Sequence, residues 1–248
     1  MHIVSAWCQA NQLILAQEKV DDKSNEIKAI PKLLKLLDLD NRTVTIDAMG
    51  AQRDICEQII EQKGNYVISL KGNQGTLHDD VVTYFKDEKV LERSLISEEN
   101  DKGHGRIEQR IAYSFEEIDW LKKEHLWPGL KSIGMVATTI IKGNKTLEEK
   151  RFYISSLSAD AKKLNQAARL HWGIENQLHW RLDVTFNEDG ACIRNDNAAE
   201  NIGILRKWAL NILQKAKQKP EQSIRSIMRK NAMSFAHLIR IVNTIFHA

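Results

Sequence analysis

The feature that most constrains the fold is the alternation of strand-like and helix-like segments in the first seventy residues. In order, these segments are strands His2–Cys8 and Gln12–Val20, helix Glu26–Leu37, strand Thr43–Ala48, helix Gln52–Lys63 and strand Tyr66–Leu70. The helices are predicted from apolar residues at spacings of three and four, with Ser24 as the cap of the first. The last strand is continuously apolar, which is typical of a buried parallel sheet. This order predicts an α/β fold.

The middle of the chain is predicted to be a mainly β insertion, and a helical region follows it. A helix is predicted at Leu77–Phe85, and the chain from Asp160 onward is predicted almost wholly helical. The strand-like segments between them are Arg106–Phe115, Ser132–Ile141 and Glu149–Ser155. We therefore expect residues 1–75 to form the first part of a core, 76–157 the β insertion, 158–218 the rest of the core and 219–248 basic C-terminal helices.

Composition and cysteine usage narrow the class of protein. Hydrophobic residues make up 42% and charged residues 28% of the chain, as in globular proteins. No apolar stretch approaches the roughly 18–20 residues that span a bilayer. The three cysteines are far apart and form no C-x-x-C pair. These features predict a reduced, cytoplasmic protein with no membrane partner and no cysteine metal site.

Positive charge is concentrated at the C-terminal end. Residues 201–248 hold nine basic residues and one acid, a net +8, so the overall +3 leaves −5 for residues 1–200. A basic helical tail on an acidic body is typical of proteins that bind a polyanion such as DNA. A solvated helical surface rich in lysine is the alternative interpretation.

The most unusual segment is the helix predicted around Glu175. Beside its apolar stripe runs a second stripe at spacing four, formed by His171, Glu175, His179 and Asp183. Such a row predicts the edge of a cleft. The two histidines are eight residues apart, about 12 Å along a helix, so they cannot share one zinc ion. A carboxylate between histidine and arginine side chains fits a hard cation at a phosphate-handling site better.

Three shorter segments carry further candidates. Asp47 ends a strand, where it is either a functional acid at the carboxyl edge of a sheet or the cap of the next turn. Lys71 and Asn73 follow the strand Tyr66–Leu70 and either contact phosphates or form an ordinary turn. Arg106 and Arg110 flank Glu108 on one strand face, which predicts either a phosphate-binding strand or a paired cross-strand ladder.

The run from Arg169 to Asp189 resembles the signature of the H-repeat-associated insertion-sequence transposases. Its matching residues are Arg169, His171-Trp172, Ile174-Glu175-Asn176, Leu178-His179-Trp180, Leu182-Asp183-Val184, Phe186 and Glu188-Asp189. The shorter blocks Thr45–Gly50, Leu70–Gln74 and His104–Arg106 are similar to blocks of the same family and occur in the same order. The resemblance thus extends over nearly the whole chain.

This resemblance implies a ribonuclease H-like mixed sheet and a DDE transposase that cleaves DNA and joins it to a target. In the family, three acids hold two Mg²⁺ or Mn²⁺ ions, and Asp47 and Glu175 match the second and third acids. The implied partners are the DNA of the element ends and of the target, with a homodimer in the transposition complex. Candidate DNA-binding residues are Lys71, Asn73, Arg106, Arg110, Arg169, His171 and Arg206.

The sequence departs from the family pattern in two ways. Relatives place Tyr and Arg before the glutamate and Lys after it, at spacings that fall here on Ala168, His171 and Leu182, so His171 is a hypothetical substitute for the arginine. The first acid is expected on a strand that would precede His2–Cys8, and the turn at Asp21-Asp22 does not replace it. We therefore expect a truncated, inactive or impaired transposase whose sheet lacks its first, central strand. The alternative is a non-catalytic DNA-binding remnant that uses the basic C-terminal helices.

Overall fold

The computed structural model describes residues 2–20, 26–103, 105–193, 196–219 and 221–246. The predicted cap Ser24, the turn Asp21-Asp22 and His104 of the third short block lie outside the described residues. By their contacts, residues 25–171 form one compact unit, here the sheet unit. Residues 1–24 and 172–248 form the other, here the hairpin–helix unit. The boundaries of these units cut across the predicted parts 1–75 and 158–218.

One six-stranded mixed sheet organises the sheet unit. Its strands are β3 (Thr43–Ile46), β4 (Asn65–Leu70), β5 (Leu95–Gly103), β6 (Arg106–Phe115), β7 (Ser132–Lys142) and β8 (Lys145–Ser155). Their spatial order is β3-β4-β8-β7-β6-β5. β3 and β4 are parallel, as is typical of a strand–helix–strand connection, and the other pairs are antiparallel. Because β8 pairs with β4, the predicted β insertion continues the same sheet as β3 and β4.

Six helices accompany this sheet in the described part of the unit. They are α1 (Glu26–Leu34), α2 (Arg53–Glu61), α3 (Thr76–Tyr84), α4 (Glu88–Arg93), α5 (Asp119–His125) and α6 (Ala161–His171). α1 ends three residues before its predicted end. The amides of Leu36 and Leu37 bond to carbonyls three residues back, a tightening that closes a helix terminus.

Helix α6 packs closely against one face of the sheet. Ala161, Leu164 and Ala168 share a core with side chains of β4, β6, β7 and β8. Gly134 on β7 makes this approach possible, since a Cβ there would lie 2.2 Å from Cδ2 of Leu164. The end of α6 is thereby held on the sheet that carries Asp47.

The hairpin–helix unit combines a β-hairpin with helices from the end of the chain. Strands β1 (His2–Cys8) and β2 (Leu13–Val20) form an antiparallel two-stranded sheet. The helical elements are a π-helix at Glu175–His179, α7 (Trp180–Phe186), α8 (Asp196–Lys215), α9 (Ile224–Met233) and α10 (Phe235–Phe246). Their apolar faces bury Ile14, Leu178, Leu182, Leu210, Leu213, Ile224, Ile227 and Ile241 in one core.

Polar side chains attach the hairpin to α8. Asn211 accepts a hydrogen bond from the backbone N–H of Ile14 at 2.9 Å and donates one to its carbonyl at 2.8 Å. Lys207, one helical turn earlier, donates to Oε1 of Gln17 at 2.7 Å. The two bonds of Asn211 satisfy backbone groups of β2 that would otherwise be unpaired at an edge of a two-stranded sheet.

Candidate metal and DNA site

Asp47 lies directly after β3 and is exposed to solvent. Its Oδ1 accepts hydrogen bonds from the backbone N–H of Met49 at 3.2 Å and of Gly50 at 3.4 Å, which caps a short turn at Ala48–Gly50. The capping interpretation of this residue is therefore what the structure shows. Among the described residues no donor bonds its Oδ2, so this oxygen is available to a cation. The two hydrogen bonds orient the carboxylate through Oδ1, and Oδ2 remains as the oxygen that could bind a cation.

Two of the predicted DNA-binding residues lie beside the Asp47 turn or the strand before it. The Asn73 side chain donates to the carbonyl of Ala48 at 2.8 Å, which ties the turn after β4 to the turn after β3. His171, the last residue of α6, places its Nδ1 3.3 Å from Oγ1 of Thr45 on β3. Lys71 begins the Asn73 turn and is exposed. The carboxyl ends of two parallel strands thus gather an acid, an amide and a lysine, with an imidazole along β3.

The three predicted arginines of the sheet unit are engaged with acids. Arg110 contacts Glu108 at 2.6 Å and its cross-strand neighbour Glu99 at 3.3 Å. Arg106 lies 3.2 Å from Glu108, and Arg169 lies 2.9 Å from Asp101. The paired-ladder alternative therefore describes Arg110, whose side chain is only 11% exposed. The side chains of Arg106 and Arg169 are about half exposed and still present charge to solvent.

Glu175 opens the π-helix, which the sequence did not predict. A regular helix was expected through residues 169–183, but α6 stops at His171 and the π turn begins four residues later. The stripe at spacing four is therefore interrupted, and His171 belongs to a different unit from Glu175 and His179. The predicted apolar stripe is buried as expected, since Leu178 is 0% and Leu182 2% exposed.

The carboxylate of Glu175 faces solvent with one close partner. Its Oε2 lies 3.3 Å from Nδ1 of His179, and both side chains are about half exposed. π-Helices are rare and occur frequently at functional sites, because their extra residue re-aims side chains at a cost in stability. The Trp172-Gly173 pair at the helix junction is the one local sequence signal of this irregularity.

A cavity in the hairpin–helix unit brings residues named from the sequence together with Lys207, which sequence reasoning missed. It has a volume of about 380 Å³, and its lining includes His179, Glu188, Asp189, Arg206 and Lys207. Lys207 is buried, and burial lowers its pKa, an effect that nearby Glu188 partly opposes. No periodic pattern marks Lys207, because its burial depends on the hairpin that covers it.

The donor chemistry fits a hard cation, although no complete site is present. In the described ranges, no group of three or more His, Cys, Asp or Glu side chains is placed to hold a metal ion. Asp47 and Glu175 are each exposed carboxylates with oxygen ligands of the kind that Mg²⁺ and Mn²⁺ prefer. Across the same described residues, no helix is long and apolar enough to cross a membrane.

Comparison with known proteins decides the family. Residues 1–212 match the family model described as "Transposase DDE domain". The chain belongs to this DDE transposase family. The predicted family resemblance is thereby confirmed, and it includes relatives that carry the H-repeat name.

Three curated proteins from Escherichia coli are similar to this transposase chain over most of its length. Both "Putative protein YbfL" and "H repeat-associated putative transposase YhhI" of strain K12 are 40% identical over 253 residues, covering 98% of this chain and 65% of the relative. "Putative transposase YncI" of O157:H7 is 40% identical over 229 residues, covering 88% and 57%. The chain therefore spans less than two thirds of the length of these relatives.

Solved structures support no finer assignment of the fold. The crystal structure of Streptomyces venezuelae DesVI is similar to this chain with a TM-score of 0.23 at 11% identity, covering 50% of this chain and 47% of that one. A score this low carries no argument. The mixed α/β fold is established, and the ribonuclease H-like order stays a prediction.

Proposed function

We propose that this transposase chain contributes Asp47 and Glu175 as metal-binding carboxylates to DNA transposition, the cleavage of phosphodiester bonds at an element end and strand transfer to a target. The observation that carries the proposal is the Asp47 turn. One carboxylate oxygen is fixed by two backbone amides while the other is available at the carboxyl end of a strand. Ligand sites of α/β sheets gather at such strand ends.

In this proposal each side chain has a limited task. Divalent ions, when bound, would activate the attacking oxygen and stabilise the leaving one. The backbone amides of Met49 and Gly50 hold the Asp47 carboxylate in one orientation. His179 lies 3.3 Å from Glu175 and would orient its carboxylate. Lys71 and Asn73, at the neighbouring strand end, would contact DNA phosphates.

The strand arrangement supports a ribonuclease H-like core. The antiparallel pair β1–β2 and the parallel pair β3–β4 lie in two separate sheets. A ribonuclease H-like order also contains an antiparallel pair and a parallel pair, on the two sides of a central strand.

The test of the proposal measures metal binding and DNA nicking on the full chain. Wild type is incubated with terminal-repeat DNA and Mn²⁺, and nicks are counted while Mn²⁺ binding is followed by electron paramagnetic resonance. Asp47→Asn and Glu175→Gln are expected to abolish nicking and to weaken Mn²⁺ binding at least tenfold. Asp54→Asn, an equally exposed acid at the start of α2, is the matched control. Mn²⁺ binding that is indifferent to Asp47 and Glu175 would refute the assignment.

A second candidate function is DNA binding without chemistry by the basic C-terminal helices. Arg225, Arg229, Lys230 and Arg240 are all exposed on α9 and α10, which favours it. Phosphate contacts release counterions, so this affinity should fall steeply with salt. Retardation that is lost in Arg229→Gln/Lys230→Gln, together with the absence of Mn²⁺-dependent nicking, would favour this candidate over the first.

A further inference from the structure

Asn73 contacts the turn after β3 from the turn that follows the neighbouring strand β4. Its Nδ2 donates to the carbonyl oxygen of Ala48 at 2.8 Å, closer than the backbone amide of Ala51, which lies 3.4 Å from the same oxygen. A carbonyl oxygen only accepts hydrogen bonds, so the Asn73 side chain presents its nitrogen here. The partner therefore fixes the orientation of the Asn73 amide, although the residue is exposed.

The peptide group that Asn73 bonds is the one that holds Asp47. The carbonyl of Ala48 and the N–H of Met49 belong to one planar peptide group, and this N–H donates to Oδ1 of Asp47 at 3.2 Å. A plane that is fixed at its oxygen cannot turn its N–H away from the carboxylate without breaking the Asn73 bond. Hydrogen bonds in such a chain also polarise one another, which strengthens the bond to Asp47.

A second side-chain amide bonds the next peptide group in the same way. Gln52 donates through Nε2 to the carbonyl of Met49 at 3.3 Å, and the N–H of Gly50 in that peptide group lies 3.4 Å from Oδ1 of Asp47. Each of these distances is longer than its counterpart in the Asn73 chain, and the N–H of Gly50 also donates to the backbone carbonyl of Asp47 at 3.1 Å. Asn73 is therefore expected to have the larger influence on the carboxylate.

We propose that Asn73 is a positioning residue for Asp47. Through the peptide group between Ala48 and Met49, it holds the carboxylate in the orientation that leaves Oδ2 available to a divalent cation. The inference rests on the proposed function of Asp47 and names a second residue on which its metal affinity depends. Residues that orient a metal-binding side chain without contacting the ion commonly change metal affinity by about 10–100-fold when they are replaced.

Two other tasks for Asn73 predict different results with the variant Asn73→Asp, which keeps the shape of the side chain but does not donate when ionised. If Asn73 were a direct metal ligand through Oδ1, the variant would bind a cation more tightly, because a carboxylate adds negative charge. If it contacted phosphate alone, metal binding without DNA would stay unchanged. A positioning residue predicts weaker metal binding in spite of the added negative charge.

The experiment measures Mn²⁺ binding to the full chain without DNA by electron paramagnetic resonance. Asn73→Asp and Asn73→Ala are each expected to weaken binding about tenfold or more, and Gln52→Ala should weaken it by less than either. Gln74→Ala is the matched control, since Gln74 lies in the same turn as Asn73 and its side chain makes no hydrogen bond to the Asp47 turn within the described ranges. This control should bind Mn²⁺ as wild type does.

A second measurement follows the peptide group in the metal-free chain. In a proton–nitrogen correlation spectrum, the amide proton of Met49 should move upfield in both Asn73 variants, because its hydrogen bond to Asp47 weakens, and should keep its position in Gln74→Ala. Circular dichroism checks that the variants are folded, as expected for changes at an exposed residue.

The inference is overturned if both Asn73 variants bind Mn²⁺ as wild type does, if Asn73→Asp binds it more tightly, or if Gln74→Ala loses as much affinity as they do. Failure of the proposed function gives a different result. If Asp47→Asn leaves Mn²⁺ binding unchanged, the metal role of Asp47 is refuted, and the Met49 resonance alone then decides whether Asn73 orients that carboxylate.

Discussion

Replacing Asn165 by leucine is expected to stabilise the sheet unit, although it removes a polar side chain. Asn165 lies on α6 with 0% exposure, and neither its Oδ1 nor its Nδ2 has a hydrogen-bond partner among the described residues. Burying an unpaired amide costs about 1–3 kcal/mol. Leucine has the same branching and no polar atoms, so the free energy of unfolding should rise by about 1–2 kcal/mol after some loss from imperfect fit.

The assay is urea denaturation followed by circular dichroism, with the slope m compared between variants to confirm that only stability has changed. Gln166→Leu, an exposed neighbour on the same helix, is the control and should change the free energy of unfolding by less than about 0.5 kcal/mol. A loss of more than about 1 kcal/mol in Asn165→Leu would refute the reasoning. It would mean that the amide bonds to a buried water or a partner.

Three further predictions concern packing and the buried thiol. Leu178→Ala removes a fully buried side chain and should lower the free energy of unfolding by about 3–5 kcal/mol in urea, whereas a change under about 1 kcal/mol would indicate a loose core. Gly134→Val should cost about 1–3 kcal/mol by clashing with Leu164, and adding Leu164→Ala should recover part of this loss if the clash is the cause. Burial raises the pKa of Cys56 from its ordinary 9.0 to about 12, so iodoacetamide at pH 8 should label exposed Cys192 and spare Cys56, as read by mass spectrometry. In the unfolded chain the Cys56 thiol ionises at a lower pH than in the folded protein. Its contribution to the free energy of unfolding is therefore intact below pH 9 and falls between pH 9 and pH 12 by up to about 1.4 kcal/mol per pH unit. An equal loss of stability at alkaline pH in Cys56→Ala would contradict this assignment.

Elements with a clear hydrophobic period were predictable from the sequence. Strands β3 and β4 and helix α3 lie within two residues of their predicted bounds. Strand β5 was not predicted, because its segment is largely acidic and polar and shows no alternation of buried positions. It forms a strand because its backbone pairs with β6 along nine residues. The local sequence of β5 does not indicate this pairing.

The candidate residues can be named from the sequence, and they stay a prediction, but their surroundings could not be predicted. The positions of Asp47 and Glu175 follow from the strand end and the family signature. The amides that cap Asp47 come from Met49 and Gly50 in the turn that follows it, but the contact of Asn73 with Ala48 joins residues twenty-five positions apart. The burial of Arg110 was likewise not predictable, because one of its two acidic partners, Glu99, lies on the neighbouring strand β5.

The sequence by itself determined the local periods, the acid at the end of β3, the distribution of charge along the chain and the family. The tertiary structure alone decided that β8 joins β4, that β1 and β2 form a sheet of their own, and that a π turn interrupts the stripe around Glu175. The physical reason is the separation along the chain of the groups that interact. Helix and strand periods are properties of neighbouring residues, whereas strand pairing, ion pairs and helix irregularities depend on groups far apart in the chain that meet only when the core is packed.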